Sequence, residues 1–375
     1  MGFIKGSFGY DLDFLKEHVD TVLLESGSSK LVLSPTLQGR VVTSSADGDK
    51  GYSFGWLNYD LIASDQYLPH CNNFGGEDRY WIGPEGGQFS IFFKKGDAFD
   101  LDHWQTPSSI DTESWEVESK QKEYVILKKN MKLKNYSGTT FDVEARRKVT
   151  LMDRSATMDF LGLEIDESVQ SVGFKSENEM FNAGSFEWNK ETGMLSIWIL
   201  GQFIPSKKNT VILPIISDSE GEIVNDSYFG KIDSDRIEVL ENAILFKGDG
   251  LKRGKIGIGP HRAKPVIGSY DALNGILTIV KYDFDDNKKE YINSMWEYQQ
   301  DPFKGDVVNA YNDGPLDDGT IMGPFYELET SSPAANLKAG DKIAHEHATF
   351  HFKGDKIQLA VLANKLLGVS LDDCY

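Results

Sequence analysis

Short runs of strand-forming residues, separated by turn residues, recur along most of this chain. Val, Ile, Leu and aromatic residues dominate the runs, and Gly, Ser or Pro interrupts them. Many short strands with turn signals are typical of a sandwich or barrel, and a chain of 375 residues predicts a large one. The predicted strands are 21–24, 30–33, 40–43, 89–93, 125–128, 131–134, 141–151, 211–216, 243–246, 275–282 and 344–352, with a hairpin over 188–198 that turns at Thr192 and Gly193.

Helical periodicity is clearest near the two ends. Residues 10–19 place Leu12, Leu15 and Val19 on one helical stripe. Residues 356–367 are good helix formers, and Gly368 after them is a common stop signal. Because no long low-complexity linker divides the chain, we expect one mainly β domain over residues 1–375, with peripheral helices at about 10–19 and about 355–368.

The chain is strongly acidic, with a formal net charge of −19. This charge repels phosphate backbones and anionic membrane surfaces, so it argues against nucleic acid and leaves neutral sugars or a divalent cation as compatible partners. No apolar run approaches about 18 residues, so no membrane-spanning helix is expected.

Cys71 and Cys374 are the only cysteines and predict no disulfide framework. Residues 1–5 lack the features of a secretory signal, but a protein whose leader had been removed would look the same. The compartment therefore stays open: periplasm or cell envelope if a leader was removed, and cytoplasm otherwise. The sequence predicts no cofactor and does not indicate an oligomeric state.

The segment 74–87 combines glycines with aromatic and charged side chains, among them Glu77, Arg79, Trp81 and Glu85. Glycine allows a backbone to approach a ligand closely. Aromatic faces beside charged groups suit a polyhydroxylated ring, which offers C–H surfaces for stacking and hydroxyls for hydrogen bonds. The combination indicates a sugar pocket, and a tight structural loop explains it equally well.

An acidic strand is predicted near the C-terminal end of the chain. If 325–329 is a strand, Glu327 and Glu329 share one face and Tyr326 and Leu328 the other. Two neighbouring carboxylates can raise the pKa of one of them, which suits general acid–base work on a sugar hydroxyl. A solvated polar strand face is the plainer alternative.

Three histidines alternate along the predicted strand 344–352. His345, His347 and His351 share one face, while Phe350 and Phe352 face the core. A His-x-His pair can bind a transition metal, and neutral imidazoles can bond sugar hydroxyls. No third ligand is fixed by the sequence, so no metal ligands are assigned, and a metal-dependent lyase or hydrolase that uses His345 and His347 is the weaker alternative. An ordinary half-exposed strand is the commonest reason for such a pattern.

The one basic cluster spans residues 253–265. Its glycine spacing does not fit the dinucleotide fingerprint, so a nucleotide site is discarded. Arg262 remains a candidate contact for a polar or anionic substrate at the edge of a cleft.

Taken together, the segments described above resemble the galactose mutarotase-like superfamily, which includes the aldose 1-epimerases. They are most similar to an uncharacterised bacterial branch with Gly-Gly-Glu-x-Arg-x-Trp-x-Gly-Pro-Glu-Gly-Gly, here at 75–87, and Glu-Leu-Glu-x-x-Ser-Pro-Ala, here at 327–334. The resemblance extends from about residue 10 to the C-terminal helix. It implies a large antiparallel β-supersandwich with a sugar-binding cleft on its concave sheet.

The epimerase resemblance implies Glu329 as the catalytic base, with Glu327 as the fallback. The sequence departs from the epimerase pattern at both histidines, because Phe74 and Asn178 stand at their positions. Phe74 cannot donate a proton, and Asn178 donates hydrogen bonds without titrating. Either His70, His345 or His347 supplies the acid, or the epimerase reaction has been lost or changed.

These observations predict a protein that binds a mono- or oligosaccharide, as an epimerase-like or other carbohydrate-active enzyme. The alternative is a non-catalytic glycan-binding or structural module of a glycan-processing system. In the enzymatic alternative Trp81 stacks on the sugar, Arg79 binds hydroxyls or a carboxylate, and Glu329 acts with His345 or His347. The remaining candidate contacts are Glu77, Glu85, Asn178 and Arg262. The prediction requires Arg79 and Glu329, which are far apart in sequence, to lie over one cleft.

Overall fold

The computed structural model describes residues 2–316 and 318–375. Its helices are α1 (Phe8–His18), α2 (Tyr59–Ala63), α3 (Arg154–Leu161) and α4 (Lys356–Leu367). Its strands are β1 (Val22–Ser26), β2 (Ser29–Ser34), β3 (Arg40–Ser45), β4 (Arg79–Gly83), β5 (Glu116–Lys120), β6 (Tyr124–Lys134), β7 (Thr140–Met152), β8 (Gln170–Asn182), β9 (Ser196–Phe203), β10 (Asn209–Pro214), β11 (Ile237–Val239), β12 (Ala243–Lys247), β13 (Gly254–Ile258), β14 (Val266–Asp271), β15 (Ile276–Tyr282), β16 (Val308–Asn312), β17 (Tyr326–Ser331) and β18 (Lys342–Lys353).

The strands form three antiparallel sheets. The ten-stranded sheet has the order β11-β12-β10-β14-β15-β18-β8-β7-β6-β5, and the five-stranded sheet has the order β13-β16-β17-β9-β4. The three-stranded sheet is β1-β2-β3. The fold is therefore a large β-sandwich with short helices at both ends, as the sequence predicts.

Two large apolar clusters join the ten-stranded and five-stranded sheets. In the first, Tyr80 and Ile199 of the five-stranded sheet pack with Phe141 and Phe174 of the ten-stranded sheet. In the second, Leu328 belongs to the same cluster as residues of β10, β12 and β15. One face of the five-stranded sheet thus packs in the core between the two sheets, and the other face can contribute residues to a site.

The terminal helices cover outer surfaces of the sandwich. Leu359 and Leu362 of α4 pack with Phe350 and other apolar residues of the ten-stranded sheet. The helix ends at Gly368, which has a φ of 70° that is unfavourable for other residues. Helix α1 packs on the three-stranded sheet through Phe8 and its neighbours. Within the described part of the chain, none of the helices has the length and apolar character needed to cross a bilayer.

Three local predictions are wrong. Residues 89–93 are not a strand, whereas Arg79–Gly83, inside the glycine-rich segment, is one. The predicted hairpin over 188–198 is a local turn, in which Asn189 bridges Gly193. Trp188 and Leu195 pair instead with Leu337 and Ala335, so tertiary pairing overrides the local turn signal. The runs 125–128 and 131–134 form one continuous strand, β6.

Candidate functional site

Charged and aromatic residues converge on the front face of the five-stranded sheet, the face turned away from the ten-stranded sheet. On β17, Leu328 packs in the core between the sheets, so period-two alternation sends Glu327 and Glu329 to the front. Strand pairing aligns two front-face rows: Lys255, Tyr311, Glu327 and Gln202, and then Gly257, Asn309, Glu329, Leu200 and Arg79. The structure thus brings Arg79 of β4 and Glu329 of β17 to the same face, and β9 lies between these two strands.

Glu329 lies at the base of this face and is fully buried. Its Oε2 accepts hydrogen bonds from the Trp198 indole Nε1 and from the Lys255 ammonium Nζ, each at 2.9 Å. Its Oε1 has no hydrogen-bond partner among the described residues. Glu329 is therefore held by Lys255 and Trp198, which line the cleft above it.

Glu327 lines the cleft directly. Its Oε1 accepts a hydrogen bond from Gln202 Nε2 at 2.9 Å. Burial, and then the negative charge of Glu329, raises its pKa to about 8, although Arg79 and Lys255 oppose the shift. Burial and the neighbouring carboxylate therefore favour the protonated form of Glu327, which is the form that can donate a proton or a hydrogen bond.

Glu85 supplies a second titratable group to the cleft. It follows β4 and is half-buried among the lining residues. Burial raises its pKa to about 7, while the positive charge of Lys255 opposes the shift. Burial also lowers the pKa of Lys255, but Glu329, Glu85 and Glu327 outweigh this effect and leave the pKa raised. Lys255 is therefore a cation among three carboxyl groups.

Arg79 and Trp81 are neighbours on the front face of β4 and stack on each other. The Arg79 guanidinium carbon lies 4.0 Å from the centroid of the Trp81 ring. Nε and Nη1 of Arg79 are buried and have no hydrogen-bond partner among the described residues. Trp81 is only 3% exposed, and it packs edge-on against Trp198 with ring centroids 5.2 Å apart. Arg79 covers one face of Trp81, so little of this ring is left for a sugar.

A loop over residues 293–299 forms one wall of the cleft and carries Trp296, which is half-buried. The glycine-rich segment holds this loop in place. Gln88 and Gln299 exchange hydrogen bonds, from Gln88 Nε2 to Gln299 O at 2.9 Å and from Gln299 N to Gln88 Oε1 at 3.0 Å. A Cβ on Gly86 would lie 2.3 Å from the Met295 carbonyl oxygen, so only glycine permits this close approach.

Arg253 and Phe229 lie at the opposite rim of the cleft. The Arg253 guanidinium carbon is 4.6 Å from the centroid of the Phe229 ring, and Phe229 is 43% exposed. The Arg253 Nε is buried without a hydrogen-bond partner in the described part of the chain. Aromatic surface for a ligand is thus offered by Phe229 and Trp296 at the rims more than by Trp81 at the floor.

His345 and His347 lie between the two large sheets, behind the five-stranded sheet. His345 Nε2 and His347 Nδ1 are 2.8 Å and 2.9 Å from the hydroxyl of Thr330, a back-face residue of β17. Both histidines are almost fully buried. The structure therefore does not bring them to the front-face carboxyl groups. Over the described residues, no group of three or more His, Cys, Asp or Glu side chains is arranged to hold a metal ion.

Glu77 also lies away from the cleft. Its Oε2 accepts a hydrogen bond from the Ser44 hydroxyl at 2.9 Å and lies 2.8 Å from His351 Nε2. The Ser44 backbone N–H donates to its Oε1 at 2.5 Å. Glu77 is fully buried, and these contacts join β3 to β18.

Asn178 and Arg262 are likewise used within the fold. The Asn178 amide donates to the carbonyl oxygens of Ser176 and His345 at 3.2 Å and 3.1 Å, between the large sheets. The Arg262 guanidinium donates to five backbone carbonyls of residues 216–222. Arg262 therefore organises a surface loop and has little capacity left for a ligand.

Sequence reasoning missed several lining residues: Trp104, Trp198, Phe229, Arg253, Lys255, Trp296 and Phe325. They come from separate segments, so no local motif unites them. The basic cluster 253–265 contained a usable signal, because alternation along a strand that begins at Gly254 sends Lys255 and Gly257 to the same face. That signal pointed to Lys255, at the opposite end of the cluster from Arg262.

Solved structures share this architecture. A putative aldose 1-epimerase from Escherichia coli matches with a TM-score of 0.54 and 10% sequence identity, over 89% of this chain and 99% of its own. A galactose mutarotase-like protein from Lactobacillus casei matches with a TM-score of 0.53 and 10% identity, over 89% and 100%. A putative mutarotase from Salmonella typhimurium matches with a TM-score of 0.50 and 14% identity, over 90% and 92%. Identities this low establish the fold alone.

Among curated proteins, none matches the sequence. A family of unknown function, DUF6786, matches residues 6–375, which is nearly the whole chain. The protein therefore has the galactose mutarotase-like fold and belongs to the family of unknown function DUF6786.

Proposed function

We propose that the front-face cleft binds a mono- or oligosaccharide and that the protein is a carbohydrate-active enzyme of the epimerase type. Three features support this proposal: the aromatic rims at Phe229 and Trp296, the polar floor, and the fold shared with a putative aldose 1-epimerase. Sugar sites combine apolar surface with a few convergent polar groups in this way.

In this proposal Glu327 is the acid and Glu85 is the base. Exchange of anomers needs a base that removes the proton of the anomeric hydroxyl and an acid that protonates the ring oxygen as its bond to the anomeric carbon breaks. The resulting open-chain aldehyde rotates, and the reverse transfers close the ring as either anomer. The pKa of Glu327 is raised to about 8 and that of Glu85 to about 7, so near neutral pH both groups are poised to exchange protons.

Glu329 then acts as a positioning residue. It is fully buried and accepts a hydrogen bond from Lys255. The charges of Glu85 and Glu327 also act on Lys255 and raise its pKa. The motif comparison favours Glu329 itself as the base, and that assignment remains the alternative within the same function. The observation that carries the proposal is the convergence of Glu85, Glu327 and Lys255 around one aromatic cleft.

The test measures optical rotation of freshly dissolved α-anomers of a broad sugar panel. The wild type should accelerate mutarotation of at least one sugar, and Glu327→Gln and Glu85→Gln should each lower the rate roughly 10²- to 10⁴-fold. Glu118→Gln, an exposed glutamate on β5, and His345→Gln are controls that should retain the rate if they fold. A large loss in Glu329→Gln with an active Glu85→Gln would make Glu329 the base. No acceleration of any sugar would exclude the epimerase function.

A non-catalytic glycan-binding module is the second candidate. It is favoured by the position of His345 and His347 behind the sheet and by the engagement of Glu329 with Lys255 and Trp198. This candidate predicts saturable glycan binding with no change in optical rotation. Calorimetry on the same sugars distinguishes the two candidates.

A further inference from the structure

Two guanidinium groups face the cleft without an anionic partner. Arg79 is 2% exposed, and its Nε and Nη1 have no hydrogen-bond partner in the described part of the chain. Arg253 likewise has a buried Nε without a partner. By contrast, Lys255 has Glu329 at 2.9 Å. An uncompensated buried charge such as that of Arg79 is costly, and a built site that retains it beside the half-buried Arg253 has capacity for an anion.

Both guanidinium groups lie over aromatic rings. Arg79 stacks on Trp81 at 4.0 Å, and Arg253 stacks on Phe229 at 4.6 Å. Stacking covers the face of a guanidinium and leaves its N–H edge free. That edge is a planar fork whose geometry matches the two oxygens of a carboxylate.

The charge balance of the cleft favours a single negative charge on the ligand. Glu329 is matched by Lys255. The pKa of Glu327 is raised to about 8, chiefly by burial, so it is largely protonated at neutral pH. With Glu85 ionised, the carboxyl groups that line the cleft or bond its lining leave one positive charge among Arg79, Arg253 and Lys255 unmatched. Asp111 and Asp313, which act electrostatically on Arg79 and Arg253, lie outside the lining, and burial raises the pKa of both. A carboxylate balances the unmatched charge. A doubly charged phosphate carries more negative charge than the cleft can balance and would be repelled by the nearby glutamates.

We propose that the sugar bound in the cleft carries a carboxylate, as a uronic acid does, and that Arg79 and Arg253 bind that carboxylate. This inference rests on the proposed sugar-binding function and names its substrate class. The local positive charge explains how a protein with a net charge of −19 accommodates an anion. Removing either guanidinium fork removes charge-assisted hydrogen bonds that a neutral sugar never made.

The test compares matched methyl glycosides by calorimetry. The methyl α-glycosides of galacturonic and glucuronic acid are compared with those of galactose and glucose, whose blocked anomeric centres prevent mutarotation. The wild type should bind a uronide roughly 10- to 100-fold more tightly than its neutral counterpart. Added salt should weaken uronide binding and leave neutral binding unchanged. Hexose 6-phosphates form a third arm, and tighter binding of these than of the uronides would overturn the carboxylate assignment.

Variants separate recognition from folding. Arg253→Gln, at the rim, and Arg79→Gln should each bind a uronide no more tightly than they bind its neutral counterpart, and Arg79→Lys should retain only part of the preference. Arg146→Gln, on the remote ten-stranded sheet, is the matched control and should bind as the wild type does. Equal affinity of the wild type for acidic and neutral glycosides overturns the inference but leaves sugar binding intact. Binding of none of these glycosides overturns both.

Discussion

Titratable side chains lie on both sides of the five-stranded sheet, in different settings. On the front, Glu327 and Glu85 line a cleft, and burial raises their pKa values toward neutrality. On the back, His345 and His347 share the hydroxyl of Thr330 between two sheets. Both groups are candidates from sequence, yet His345 and His347 do not line the front-face cleft. We therefore expect back-face changes to alter stability and front-face changes to alter ligand chemistry.

The largest effect on stability is expected at the buried ion pair of Asp78 and Arg147, on the back side. Both side chains are fully buried, and the Ser176 hydroxyl also donates to Asp78, at 2.6 Å. Asp78→Asn leaves the Arg147 charge without its partner and should lower the free energy of unfolding by about 3–5 kcal/mol. Asp142→Asn, which breaks the exposed Asp142–Lys132 pair, should cost about 0–1 kcal/mol. Urea denaturation measures both, and similar costs would contradict the assignment of Asp78 to the interior.

The buried histidines should make the fold sensitive to acid. Burial lowers the pKa from 6.5 to about 3 for His345 and about 4 for His347. Below pH 6.5 the unfolded chain therefore binds protons that the folded chain does not. The associated stability is fully present above pH 6.5 and is lost progressively as the pH falls toward these lowered values.

Urea denaturation of the wild type and of the double variant His345→Gln/His347→Gln between pH 7 and 4 measures this contribution. The difference in stability between the two proteins should shrink as the pH falls. A difference that stays constant would mean that neither imidazole is held neutral by burial.

The front face should instead control the pH dependence of turnover. If Glu85 must be ionised and Glu327 protonated, kcat/KM should be bell-shaped, falling below the pKa of Glu85 at about 7 and above that of Glu327 at about 8. Each limb should approach a tenfold change per pH unit. Mutarotation rates across the pH range measure the profile. A profile that rises steadily with pH would exclude a protonated Glu327 from the reaction.

The smallest effect is expected at the rim. Trp296→Ala removes a half-buried ring from the loop wall and should weaken sugar binding roughly 2- to 10-fold. Tyr298→Ala is a control on the same loop, because Tyr298 is 75% exposed and does not line the cleft. Calorimetry with the methyl glycosides measures both, and equal effects of the two variants would argue against a specific contact with Trp296.

Period-two alternation predicts correctly which residues of one strand share a face. It brings Glu327 and Glu329 together on the front of β17, and His345 and His347 together on β18. It does not say which face a second sheet will cover, because that depends on pairing between distant segments. The interior positions of His345 and Glu77 could not be read from the sequence for this reason.

The glycine-rich segment shows a second limit. It reads as a loop, yet Arg79–Gly83 is a fully buried strand. Pairing with β9 stabilises this strand, and that partner lies beyond the reach of any local pattern. The convergence of Arg79 with Glu329 was accessible only through the resemblance of both motifs to one superfamily.

The reciprocal amide contact between Gln88 and Gln299 joins positions 211 residues apart in sequence. Forming a contact between such distant positions costs loop-closure entropy. The contact therefore forms only once both positions are in place. During synthesis, a nascent chain therefore cannot complete this wall of the cleft before Gln299 has left the ribosome.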